Sequence, residues 1–78
     1  MTKETIIQIA NQKNYKVDFS NNGIWDMIGI RMKTCYHWFI IYDDNTLEFD
    51  HTYSQNTGKV IKSIQHRINV KTSLGFYN

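Results

Sequence analysis

Hydrophobic and polar positions alternate cleanly in the first half of the chain. In YKVDFS, residues 15–20, Tyr15, Val17 and Phe19 point one way and Lys16, Asp18 and Ser20 the other, the period of a half-buried strand. Asn21-Asn22-Gly23 follows as a turn signal. DMIGIRMK, residues 26–33, alternates again, with Ile28, Ile30 and Met32 inward and Gly29, Arg31 and Lys33 outward. A glycine at such a place marks a bulge or a close approach by another backbone. Ahead of these strands, KETIIQIANQK, residues 3–13, repeats Ile6, Ile7 and Ala10 at helical spacing, with Ile9 at the edge of the stripe. Thr2 fits as its N-cap, Glu4 suits its first turn, and Asn14 suits the left-handed residue that ends it.

YHWFIIYDDNTLEFDHTY, residues 36–53, reads as a hairpin. With a loop of Asp44-Asn45 or of Asp43–Thr46 the register is the same: Tyr42 faces Leu47, Ile40 faces Phe49, Trp38 faces His51 and Tyr36 faces Tyr53. These larger residues share one face, which is expected to be the core. The other face pairs Ile41 with Glu48, Phe39 with Asp50 and His37 with Thr52. A slip of one residue exchanges the two faces, so register is a strong constraint. SQNTG, residues 54–58, is a loop, and residues 58–70 read as a second helix. Val60, Ile61, Ile64 and Ile68 fall within about 100° on its wheel, with Lys59, Lys62 and His66 opposite. Ser54, Asn56 or Thr57 is available to cap it.

The expected architecture is a single α+β domain over residues 1–78. It comprises a short N-terminal helix, a three- to four-stranded antiparallel sheet and a C-terminal helix. Both helices pack on the face holding Trp38, Ile40, Phe49 and Tyr53, and the other face stays open.

Length sharpens this picture. A chain of 78 residues buries only about 60–65 % of its unfolded surface, which leaves little room for a large cofactor. That favours a binding module over an enzyme, with no cofactor expected. The one cysteine, Cys35, cannot form an internal disulfide and suits a reducing cytosol. No segment approaches the roughly 20 apolar residues of a membrane span, and no signal peptide is visible. The absence of proline, with abundant Asn, Lys, Ile and Tyr, points to an AT-rich bacterial or phage genome. Charge is asymmetric: residues 1–50 hold all seven acids and five bases, a net of −2, whereas residues 51–78 hold four bases and no acid. The two parts offer partners opposite fields.

The candidate chemistry is sparse. Cys35 and His37 share a strand face, but two ligands do not make a zinc site, and a Cys-His pair needs an orienting group and an oxyanion donor. The expectation is a turn cysteine beside a surface histidine. His51 is expected as a core histidine opposite Trp38. Asp43, Asp44, Glu48 and Asp50 lack a partner base and an enclosing pocket for acid–base work. With Phe39 and Ile41, however, they make an apolar centre rimmed by charge, the pattern of a partner-binding patch. The alternative is that a helix, the C-terminal tail or a dimer covers Phe39 and Ile41. On the second helix Lys59, Lys62, His66 and Arg67, helped by Lys71, are candidates for weak, salt-sensitive phosphate contacts.

Two resemblances follow. The helix–strands–helix order resembles the double-stranded RNA-binding domain, whose last helix starts with a lysine cluster; here the matching stretch is TGKVIKSIQ with Lys59 and Lys62. This implies a double-stranded RNA- or DNA-binding module. IIQIANQKNYKVDFS followed by IGIRM resembles the opening of small anti-CRISPR proteins of Listeria prophages, over roughly residues 4–32. That resemblance implies a phage or mobile-element protein that inhibits a type II CRISPR nuclease by placing acidic residues in its DNA-binding groove. In this net basic chain the acidic group would be the local patch Asp43, Asp44, Glu48 and Asp50.

Overall fold

The computed structural model describes residues 2–61. Over that range the chain forms helix α1 (Lys3–Gln12) and strands β1 (Lys16–Asn21), β2 (Asp26–Arg31), β3 (Cys35–Ile41), β4 (Leu47–Ser54) and β5 (Val60–Ile61). The strands make one antiparallel sheet in the order β1-β2-β3-β4-β5. No helix among the described residues is long and apolar enough to cross a membrane.

Helix α1 is set at both ends by its sequence. The Thr2 hydroxyl accepts from the Thr5 amide at 3.3 Å. Asn14 takes φ 58°, and the Tyr15 and Asn14 amides turn back to donate to the Ala10 and Asn11 carbonyls at 2.8 and 3.3 Å. Those two bonds satisfy carbonyls that the helix end would leave open. Ten residues make a marginal helix in isolation. The Lys3 amide donates to the Asn45 carbonyl at 2.9 Å, which ties the helix start to the β3–β4 turn. Ile6 and Ala10 are buried against Ile28, Ile30, Phe39 and Phe49. Each such fully buried isoleucine contributes about 1.5–3 kcal/mol relative to exposure.

The expected inward set on β2 is correct for Ile28 and Ile30, which are wholly buried, and Met32 packs at the margin of the cluster. On β3 the expected faces are reversed. Ile28 pairs with Phe39 and Ile30 with His37, so Phe39, Ile41 and His37 share the helix face. Tyr36, Trp38 and Ile40 lie on the opposite face. The reason is visible at Gly29, which pairs with Trp38: a Cβ there would lie 2.7 Å from the indole ring. The missing side chain makes room for the tryptophan on the face away from the helix.

The hairpin register also departs from a uniform ladder. Pairs from Cys35–Ser54 to Trp38–His51 follow the expected register, but the next pairs are Phe39–Phe49, Ile40–Glu48 and Ile41–Leu47. Asp50 is the extra residue of a bulge. Phe49 and Thr52 are an odd number of residues apart yet both are buried, which a regular strand forbids and a bulge permits.

Two further expectations are corrected or left aside. Val60 and Ile61, expected at the start of a helix, instead pair with Tyr53 and Thr52 as a short strand. The rest of the expected second helix and the tail, with Lys62, His66, Arg67 and Lys71, lie outside the described residues. Helix α1 therefore stands on the sheet without the expected second helix beside it among the described residues.

Two stability outcomes follow from this packing. Phe39→Ala should cost about 3–5 kcal/mol, enough to threaten the fold of so small a domain, whereas Trp38→Ala should cost clearly less. Gly29→Ala should destabilise the native protein but cost little in a Trp38→Ala background. Urea unfolding of these four variants beside the native chain tests both, and equal costs for Gly29→Ala in both backgrounds would show that the indole does not occupy the space over Gly29.

Candidate functional site

Antiparallel order brings the β1–β2 and β3–β4 turns to one end of the sheet. Each turn is built by its own polar side chains. Asn21 Oδ1 accepts from the Gly23 amide at 2.7 Å, and Asn22 Oδ1 accepts from the Ile24 and Trp25 amides at 3.0 and 2.8 Å. Gly23 supplies a φ of 93°, a conformation that strains other residues. Asn21 Nδ2 also donates to Asp26 at 2.9 Å. This bonding holds Ile24 outward with 79 % of its surface exposed and Trp25 with 39 %. In the second turn Asp44 Oδ1 accepts from the Thr46 amide at 3.0 Å and from its hydroxyl at 2.6 Å. These bonds hold the Asp44 carboxyl below the usual carboxylate range.

The two turns touch. Trp25 sets its ring edge to face against Tyr42, with centroids 5.2 Å apart. The Tyr42 hydroxyl donates to Glu48, and that bond holds the phenol above its usual range. A half-open cavity of about 330 Å³ lies at this end; its lining includes Phe19, Ile41, Asp26, Asp43 and Lys3. Phe19 is 61 % exposed.

The structure thus regroups the predicted site. Asp43, Asp44 and Glu48 do lie at one end, and Ile41 joins Asp43 in the cavity lining. Phe39 does not, because it is buried under helix α1. Asp50 sits apart in the bulge and bonds His51 Nδ1 at 2.5 Å. His51 faces Trp38 as expected, but on the open face and not in the core. Sequence reasoning missed Phe19, Ile24 and Trp25. Ile24 and Trp25 directly follow a strong turn signal, so their place at a tip was readable.

The Cys35–His37 pair also differs from expectation. His37 is buried, at 5 % exposure. Its Nδ1 lies 2.7 Å from Thr52 Oγ1 and its Nε2 3.7 Å from Cys35 Sγ. Thr52 supplies the orienting group that sequence could not place. Burial nevertheless pushes the Cys35 thiol up, which keeps it protonated and a poor nucleophile at neutral pH. No group of three His, Cys, Asp or Glu residues able to hold a metal ion occurs among the described residues. Of the proposed phosphate-binding residues only Lys59 is described; it is exposed next to β5.

No protein-family model, curated protein or solved structure matches the chain.

The Asp44 bonds have a measurable consequence. Its carboxyl should titrate below the ordinary aspartate value, and Thr46→Val, which removes the hydroxyl donor, should move it back toward that value. With the folded value depressed, the turn's contribution to stability is present above the ordinary carboxylate range and is lost as pH falls through the folded value. Carbon-detected NMR titration of both chains reads the shift; an Asp44 midpoint unchanged by Thr46→Val would remove the hydroxyl as its cause.

Proposed function

We propose that the protein is a small binding protein, without turnover or cofactor, that blocks a basic surface on a host protein in the bacterial cytosol. The observation that carries this reading is the exposure of Phe19, Ile24 and Trp25 at the same end of the sheet as Asp26, Asp43, Asp44 and Glu48. Exposed large apolar groups ringed by charge mark interaction surfaces. Tryptophan at the centre of such a patch is among the residues that contribute most to binding. Carboxylates of one sign favour a partner of the opposite sign and speed its encounter.

Clefts that hold nucleic acid are basic because they neutralise phosphates. A carboxylate-bearing tip with an apolar centre fits such a cleft on a nuclease, the target implied by the resemblance to prophage anti-CRISPR proteins. Binding there needs only occupancy. The rival reading, a duplex-binding module working through a basic second helix, has less support, because Val60 and Ile61 are in a strand.

A pull-down from bacterial lysate followed by calorimetry tests the proposal. Ile24→Ala and Trp25→Ala should each weaken the complex roughly tenfold or more. Asp43→Lys should weaken it further while leaving the circular dichroism unchanged. Lys16→Glu, at the other end of the sheet, should have little effect. If an Ile24→Ala, Asp43→Lys double variant binds the captured partner like the native chain, this end of the sheet is not the working surface.

A further inference from the structure

The face of the sheet away from helix α1 carries a second arrangement, independent of the acidic end. Cross-strand pairing places Lys16 beside Arg31, Arg31 beside Tyr36, and Tyr36 beside Tyr53, in one row running across four strands. Trp38 lies two residues along β3 from Tyr36, on the same face. The Tyr36 and Trp38 rings are stacked within 18° of parallel at 5.7 Å between centroids. The Arg31 guanidinium carbon sits 5.7 Å from the Tyr36 ring centre. Gly29 leaves the space into which the indole lies down on the sheet. Tyr53 is 39 % exposed. Among the described residues no helix covers this face, and no carboxylate forms an ion pair with Lys16 or Arg31.

We infer that this face binds single-stranded nucleic acid, with bases on Tyr36, Trp38 and Tyr53 and phosphates at Arg31 and Lys16. Three features of the row choose this occupant. Tyr36 and Trp38 are half-buried and stacked on each other, and Tyr53 is exposed in the same row; what these rings leave open to solvent is a sequence-tolerant stacking partner for unpaired bases. In row order the cations precede the rings, with Arg31 reaching over Tyr36; the one acid in the neighbouring row across β1–β3, Asp18, pairs with Gly29 on the far side of Trp38 from the β4 strand. The charge of this end is complementary to phosphate: Lys16, Arg31, Lys33 and Lys59 lie at the end of the sheet opposite Asp26, Asp43 and Asp44. A duplex keeps its bases paired and stacked, so it cannot use the rings. With Tyr53 exposed and Tyr36 and Trp38 half-buried, such a sheet face holds about two or three bases.

The experiment is fluorescence anisotropy of the full chain against end-labelled 15-nucleotide oligo(dT), oligo(rU) and a duplex of the same length, across a salt series. Either single strand should bind at low salt, and the duplex should bind at least tenfold more weakly. Tyr36→Leu and Tyr53→Leu, which keep apolar bulk and strand propensity, should each weaken binding roughly tenfold, the order expected for one stacked base. Arg31→Gln should reduce the slope of log affinity against log salt by about 0.7, the loss of one phosphate contact on a single strand. A Trp25→Phe chain leaves Trp38 as its one tryptophan, and its emission should be quenched as the oligonucleotide binds. Ile24→Ala, which changes no charge, should leave oligonucleotide affinity unchanged, so failure here is distinct from failure at the acidic end. The inference is overturned if neither single strand binds at low salt, or if duplex binds as well as single strand. It is equally overturned if Lys62→Glu with Arg67→Glu abolishes binding while the tyrosine and arginine variants of the sheet, folded by circular dichroism, bind normally.

Discussion

Asp50 is one residue too many for the strand it occupies, and the sidedness of the whole sheet depends on that excess. Phe49 and Leu47 must face helix α1 at one end of β4, and Thr52 must face His37 at the other. A regular strand would send one of these groups to the wrong face. The bulge absorbs the mismatch, and Asp50, displaced from the ladder, is left to bond the neighbouring His51. Without it the core would lose Phe49, and its edge-to-face contact with Phe39, at 5.6 Å between centroids, would go as well.

Gly29 settles the same question from the other side of the sheet. A side chain there would collide with Trp38, so the indole lies down where a neighbouring strand presents only backbone. Placing Trp38 on the open face hands Phe39 to the core. It also leaves Tyr36, Arg31 and Lys16 aligned along one row. One missing side chain therefore couples the packing of the core to the composition of the exposed surface.

The helix, its two caps, the two β2 residues of the core and the antiparallel order were legible because each rests on a local signal: Thr2 before an apolar stripe, Asn14 after it, alternation through Ile28 and Ile30. The faces of the hairpin were not. Residues 36–42 are large and apolar on both sides, so alternation locates the strand without saying which side is inward. Side-chain size favours Trp38 and Tyr36; the true arbiter is the cross-strand partner, Gly29, which periodicity within one strand does not contain. The bulge was hidden for a related reason, since Glu48, Asp50 and Thr52 read as a continuous polar face until Thr52 is seen to bond a buried histidine. Of the candidate surface, the carboxylates were readable as turn residues. For Ile24 and Trp25 the turn signal before them made their place at a tip readable, but not their exposure, because they belong to no periodic run that assigns a face.

The two ends of the sheet carry opposite charge, and topology explains how a chain with acids and bases interspersed achieves this. In an antiparallel sheet every second turn returns to the same end. The β1–β2 and β3–β4 turns, with Asp26, Asp43 and Asp44, share one end; the starts of β1 and β3 and the β2–β3 turn, with Lys16 and Lys33, share the other along with Arg31. Charges dispersed in sequence are thereby sorted in space with no need for a charged block. Such a molecule has little net charge to direct its encounters, but each end has a local field that acts within roughly a Debye length, about 8 Å at physiological salt. That range is short beside the six- to eight-residue strands that separate the two ends, roughly 20–26 Å at about 3.3 Å per residue, so the fields of the acidic and basic ends scarcely overlap.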